Sequence, residues 1–311
     1  MRIRSFALIL LLTTGSSSFA AELLLQFKAE YPQRDSERAG NIIAVTISPD
    51  GSLYFLEDGA NTLVCLSSNG SFIGKTGGFG FGEDSFHKPT DLTFVGLELW
   101  VSDPLGGRII RFDRRLAPLD VLSETGIDRI NRIKRDNENY TFERPVSLAQ
   151  AENGDLVILE QDRQEVLMLD ASGRLLRTIG QYGEVPQPLV SPNRLEISEK
   201  GVIAITDPGN RSIFLFDRFG SFLQQILYKD IQDKQDNRTL LAGESLSGVD
   251  WRGDELWVCG AWGLARLDNR LQLIQIWSND FFPGGVQDLA IDRDRLVVAS
   301  GKSLMVYRIV E

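Results

Sequence analysis

The chain has 311 residues, 42% of them hydrophobic and 24% charged, the balance of a folded globular protein rather than of a disordered or fibrous one. Its formal charge is −10, from 33 basic and 43 acidic residues; without Arg2 and Arg4 there are 31 basic residues and the charge is −12. A surface this acidic repels phosphate backbones and anionic lipid, so nucleic acid is excluded as the expected partner.

The first segment, "MRIRSFALILLLTTGSSSFAAEL", carries Arg2 and Arg4, an apolar run from Phe6 to Leu12, and small residues up to Ala20 and Ala21. This three-part form is that of a secretory signal peptide, with Ser18-Phe19-Ala20 as the cleavage site. The apolar run is well short of the roughly 20 residues that span a bilayer. Residues 1–20 are therefore expected to be removed, leaving 21–311 as a single secreted or periplasmic domain with no membrane span. Cys65 and Cys259 both sit inside apolar strand patterns, "NTLVCLSS" and "ELWVCGAW". They read as two separate small core residues rather than a bridge.

Beyond the signal, short apolar strands recur: "GSLYFLED", "LELWVSDP", "GDLVILEQD", "GVIAITDP", "DELWVCGA" and "DRLVVASG". Aligned on their apolar triplets, the copies begin at Leu53, Leu99, Leu156, Val202, Leu256 and Leu296. A shorter strand precedes each copy, a turn and a third strand follow, and most add a fourth, as in "SFIGKTG" and "RLLRTIG". Four short strands per unit with Gly, Asn and Asp at the turns is the pattern of a propeller blade. The expected fold is all-β, a six-bladed propeller of four-stranded antiparallel blades. The sixth unit ends at Glu311 after only three strands, and an unpaired edge there would be a liability. Residues 21–32, "AELLLQFKAEYP", supply one spare strand and are expected to form the outer strand of blade six, closing the ring.

Two stretches, "FGFGEDSFHKPTDLTF…LWVSDPLGGRIIRFD" and "SPNRLEIS…IAITDPGNRSIFLFDRFG", resemble repeats of the NHL β-propeller family. The resemblance is good over 89–113 and 192–217, partial over 145–170 and weak in the other units. It implies the propeller fold and leaves the activity open, because such propellers serve many roles. Within this frame the glycine-rich "GGFGFGEDSFHKP" is the crossing from blade one to blade two. Phe86 is expected to drop into the cleft between blades, with Pro89 stiffening the start of the next strand. A phosphate-binding loop would need a strand feeding a helix, and the following "TDLTFVGLELWV" alternates as a strand.

Asp103, Asp207 and Asp162 recur after the second strands and are expected to accept backbone N–H bonds in their turns. Arg108 and Arg211 are expected beside them as exposed ion pairs. Two enzyme families of six-bladed form set sharper tests. The zinc-dependent amidating lyases hold their metal with several histidines, and this chain has one, His87. The gluconolactonase and regucalcin family is similar at "SPNRLEIS", which would carry its metal-binding Asn onto Asn193. Neither a Glu nor an Asp stands at the equivalent strand entry of "NIIAV" or "LSGVD" to partner that Asn, so no metal or cofactor is expected.

The channel mouth is expected to present Asp91, Ser147, Arg194 and Asp288, with Asn193 beside them, as a site for a small polar ligand. The long crossings between blades are expected to gather on one face and carry Phe79, Phe81, Tyr140, Phe142, Tyr182, Phe281 and Phe282. Aromatic side chains with arginine on a rigid platform suit a protein or peptide contact, or a carbohydrate. The insert "SETGIDRINRIKRDNENYTFERP" places isoleucine and arginine every third residue, which reads as a short amphipathic helix whose basic side holds Arg129 and Arg132. The expected role is a non-catalytic binding or scaffolding module. The rival is a metal-dependent hydrolase or lactonase acting at the channel mouth.

Overall fold

A computed structural model describes residues 24–31, 40–123, 133–135, 138–140, 142–171, 174–180, 186–231, 246–278, 280–282 and 284–310. The expected signal peptide, Arg129, Arg132 and Tyr182 lie outside them, and of 133–140 only the backbone is described. Strand β1 is Leu24–Tyr31. Blade one is β2 (Ile42–Ile47), β3 (Leu53–Glu57), β4 (Thr62–Leu66) and β5 (Phe72–Gly77). Blade two is β6 (Asp91–Val95), β7 (Glu98–Asp103), β8 (Arg108–Phe112) and β9 (Pro118–Ser123). A small hairpin follows, β10 (Ile133–Arg135) and β11 (Glu138–Tyr140). Blade three is β12 (Pro145–Gln150), β13 (Leu156–Glu160), β14 (Glu165–Leu169) and β15 (Leu175–Ile179). Blade four is β16 (Arg194–Ile197), β17 (Ile203–Asp207), β18 (Ser212–Phe216) and β19 (Phe222–Leu227). Blade five is β20 (Leu246–Arg252), β21 (Glu255–Gly260), β22 (Gly263–Leu267) and β23 (Leu273–Ser278). Blade six is β24 (Asp288–Asp292), β25 (Arg295–Ser300) and β26 (Ser303–Val310), with β1 outermost.

The ring of six four-stranded antiparallel blades is closed in two ways. The innermost strands neighbour one another in the order β2, β6, β12, β16, β20, β24 and back to β2. At the rim, β1 pairs antiparallel along β26 from Leu24↔Val310 to Tyr31↔Leu304, so the two ends of the chain are joined by backbone hydrogen bonds. This edge leaves no ladder of β26 open to other strands.

Each blade is built by the same local chemistry. In blades two, four and five the third and fourth strands are joined by a tight turn whose leading Asp accepts backbone N–H groups. The Asp217 carboxylate takes those of Phe219 and Ser221, Asp113 those of Arg115 and Ala117, and Asp268 those of Arg270 and Gln272. Between blades, apolar side chains from both faces of each sheet interlock. Six clusters of buried residues result among the described residues, one per seam. Cys65 and Cys259 are both buried and unbridged in this core.

Two sequence readings are corrected here. Ile133–Arg135 and Glu138–Tyr140 pair as an antiparallel hairpin, so a helix does not run through this part of the insert. The fourth repeat begins at Ile203 rather than Val202, because Ile203 pairs with Phe216 as Leu99 pairs with Phe112.

Candidate functional site

The innermost strands line the central channel near their starts. By strand register the equivalent positions are Ala44, Asp91, Ser147, Arg194, Gly248 and Asp288. The four polar members of this ring are those expected at the channel mouth. Two residues further along, Thr46, Thr93, Ala149, Glu196, Asp250 and Ala290 form a second ring. Glu196 and Asp250 were missed by the sequence reading, although the period-2 alternation of "RLEI" and "GVDW" places them on the same face as Arg194 and Gly248.

The inner edge of a blade has no ladder partner, and these side chains supply one. Asp91 accepts from Leu148 N (3.4 Å) of blade three, and Ser147 Oγ accepts from Leu195 N (3.0 Å) of blade four. Asp250 accepts from Ile291 N (2.6 Å) of blade six, and Asp288 from Val45 N (2.9 Å) of blade one. Each carboxylate thus ties its blade to the next, and Ser147 Oγ also donates to Asp91 Oδ2 at 2.5 Å. Asn193 serves the same end: its Nδ2 donates to Leu246 O (3.0 Å) and its Oδ1 accepts from Thr206 Oγ1 (2.6 Å). Both polar ends of the residue that would align with a metal-binding Asn are therefore engaged, Nδ2 in joining blades four and five and Oδ1 within blade four.

Arg194 spans the channel. Its Nη2 donates to Ile43 O (2.9 Å) of the opposite blade, and its Nε lies 3.8 Å from Asp288 Oδ1. Beneath it a polar cavity of about 140 Å³ is bounded by Thr46, Glu196, Asp250 and Ala290. That is room for a few water molecules. Burial pushes the Asp288 carboxyl up to about 7 and raises Asp91, with Arg194 opposing both shifts. Burial raises Asp250 too, and burial together with the Asp250 charge holds Glu196 well above the usual carboxylate range. The desolvation that lowers Arg194 is outweighed by Asp91 and Asp288, so the guanidinium stays charged. Among the described residues no three His, Cys, Asp or Glu side chains converge as a metal site.

The face that carries the blade-to-blade crossings has a different character. Gly77 (φ +105°) starts the 77–90 loop where a Cβ would strike Asn61 O, and Phe79 and Phe86 pair across it. Phe86 is fully buried between blades one and two, 5.8 Å from the Phe112 ring, as its place in the repeat implies. Arg108 is buried rather than exposed, and it holds the loop from below. Its guanidinium donates to the carbonyls of Phe81 (2.8 Å), Ser85 (3.0 Å), Gly80 (3.2 Å) and Gly82 (3.3 Å) and to Asp103 Oδ2 (2.9 Å). Asp103 also accepts from the backbone N–H groups of His87 and Lys88. Phe79 and Phe81 remain 70% and 67% exposed, with the His87 ring edge-on to both at 5.1 and 4.8 Å.

Asp207 repeats the anchoring role, accepting from Val190 N and Ser191 N. In blade three the equivalent residue is Glu160, which accepts from Arg144 N (2.8 Å); Asp162 is an exposed partner of the Arg144 side chain at 3.4 Å. The recurring acid is thus two residues earlier than the sequence placed it. Burial raises the Glu160 carboxyl to about 7. Phe142 and Phe282 are core residues, 5% and 0% exposed, and so are not available to a partner; Phe281 keeps 43% of its surface open.

No protein-family model matches the chain. The human E3 ubiquitin-protein ligase NHLRC1 is 31% identical over 81 residues, which is 26% of this chain. That match spans about a fifth of the relative's own length, 20%. Among solved structures, a streptogramin B lyase aligns over 93% of this chain and 98% of its own, with TM-score 0.60 and 13% identity. Virginiamycin B lyase from Staphylococcus aureus aligns over 93% and 100% with the same score and identity. The β-propeller domain of Myceliophteria thermophila Cps50 (Swd1) aligns over 92% and 100% at TM-score 0.61 and 10% identity. This chain is a six-bladed β-propeller. Identities this low establish the shared ring and nothing of its chemistry.

Proposed function

We propose that the protein is a secreted or periplasmic propeller of NHL-like repeats that acts as a non-catalytic binding module. Its loop-rich face holds a protein or peptide partner, with Phe79 and Phe81 as the anchors. The observation that carries this reading is the pair of largely exposed phenylalanines on a loop fixed by five Arg108 hydrogen bonds. The two rings leave most of their surface open in the isolated fold, and burial of each against a partner is worth about 1.5–3 kcal/mol. Because the loop is already ordered, little conformational entropy remains to be lost on binding. The channel supports the same reading in that Asp91, Ser147, Arg194, Asp250 and Asp288 are used in joining blades. The lone histidine lies on the loop face, its ring edge-on to Phe79 and Phe81 and its Nδ1 3.1 Å from Leu105 O.

Pull-down with the wild-type protein and with a Phe79→Ala/Phe81→Ala variant of matched thermal stability tests the proposal. A partner retained by the wild type and lost by the variant is expected. Recovery of the same partners by both overturns the anchor assignment, and a glycan in place of a protein moves the partner class to carbohydrate. A stoichiometric calcium or zinc that survives dialysis, and is lost in Asp288→Asn, overturns the non-catalytic reading in favour of a metal-dependent hydrolase or lactonase. Mass analysis of the exported protein, beginning at Ala21, checks the compartment.

A further inference from the structure

The seam between blades three and four is open at the face opposite the crossings, where a cavity of about 310 Å³ enters it. Its floor is apolar, made by Val157, Met168, Ile197 and Ile203. The equivalent seam between blades one and two is filled by rings, as strand register shows. Tyr54 stands where Val157 does, and Phe94 where Ile197 does. The two rings meet edge to face at 5.1 Å, and Tyr54 Oη donates to Arg114 O at 2.7 Å. Substituting two aliphatic side chains for two rings leaves the space unfilled. The rim is charged with one sign in excess: Glu152, Asp155 and Glu199 face a single guanidinium, that of Arg218. Arg218 is turned to Lys200 O (3.2 Å), and Lys200 itself is drawn away to Asp254 of blade five. Glu152 and Glu199 have no side-chain partner among the described residues.

We propose that this cavity is a binding site for a small organic cation with an apolar body, an aralkylammonium compound. The apolar part sits over Val157, Met168 and Ile203, and the charged head lies at the Glu152–Glu199 rim. The volume is at the lower end of ligand pockets and suits about a dozen non-hydrogen atoms. The site is on the other face from Phe79 and Phe81 and stands independently of the partner proposed for them.

The three probes 4-phenylbutylammonium, 4-phenylbutanol and 4-phenylbutanoate share one body and differ in charge. Titrated into protein carrying ¹³C-methyl methionine, the cation is expected to move the Met168 methyl resonance saturably and to leave that of Met305, in blade six, in place. The alcohol is expected to bind several-fold more weakly, and the carboxylate not at all. Glu152→Gln and Glu199→Gln are each expected to weaken the cation about two- to five-fold, less at high salt. Val157→Tyr, which copies the filled seam, is expected to abolish the shift. A Met168 methyl that does not move, or that moves alike for all three probes, overturns the proposal; this charge series is read on the wild type and stands even where Val157→Tyr does not fold.

Discussion

The seam between blades one and two and the seam between blades three and four are the same construction filled differently. In the first, Phe86 drops in from the crossing loop and Tyr54 and Phe94 fill the opposite end. In the second, Leu189 enters from the loop in place of Phe86, and Val157 and Ile197 leave the far end open. The loops above them differ in the same sense. Arg108 grips four carbonyls of the 77–90 loop, whereas in blade four Asn210 Nδ2 reaches one carbonyl, Pro188 O at 2.7 Å, beside Asp207. The difference teaches that the repeat sets where side chains go, and the residue type at each place decides whether a seam is sealed or becomes a site.

Phe86→Ala should break the sealed seam at the greatest cost, about 4 kcal/mol in denaturant unfolding, because a fully buried ring leaves a cavity. A truncation in the open seam, Val157→Ala, should cost about 1 kcal/mol, since it removes two methyl groups beside a space that is already unfilled. Equal losses would show the two seams to be energetically alike. Arg108→Ala should cost about 3 kcal/mol, as Asp103 is left buried without its counter-charge. It should also raise protease cleavage within 77–90 while leaving the loop above blade four intact.

The turn acids sharpen the comparison through pH. Glu160, raised to about 7 by burial, holds its proton in the folded state at pH values where the unfolded chain has lost it. The folded state then binds more protons than the unfolded state between about pH 4.5 and 7, so stability falls as pH rises through that window and levels off above it. The slope should be on the order of 1 kcal/mol per pH unit, and Glu160→Gln should flatten it and raise the melting temperature at pH 8. Asp288 contributes in the same direction, so the flattening is partial. The smallest effect should come from filling the open seam. Ile197→Phe should add about 0.5 kcal/mol, a gain typical of cavity filling, read as a rise in melting temperature. A loss of 1–3 kcal/mol would mean that the seam cannot accept the ring without strain.

Much of the architecture was legible before any coordinates. The alternation of "LYFLE", "LVILE" and "LVVAS" marks strands, and one orphan strand at residues 21–32 answers one missing strand at the end of the chain. Phe86 as a wedge and Asp103 and Asp207 as amide acceptors follow from their place in the repeat. Less legible were residues whose role depends on what stands across a gap. Arg108 looks like a surface cation in sequence, yet buried carbonyls of a distant loop surround it. Phe142 and Phe282 have the composition of interface residues and are core, because an aromatic ring in a crossing can turn either way. Ile133–Arg135 has a helical beat and forms a hairpin with Glu138–Tyr140.

The sequence by itself determined six units, their strand order and the closure of the last unit by the first strand. Periodicity and turn residues are local and repeat six times, so each copy reinforces the others. Tertiary structure alone decided which side chains meet across the axis and across the seams: Arg194 with Ile43 and Asp288, Asp250 with Ile291, and Val157 and Ile197 where Tyr54 and Phe94 might have stood. Such contacts join residues far apart in the chain, 243 positions in the case of Val45 with Asp288, and their geometry follows from ring closure rather than from any local pattern.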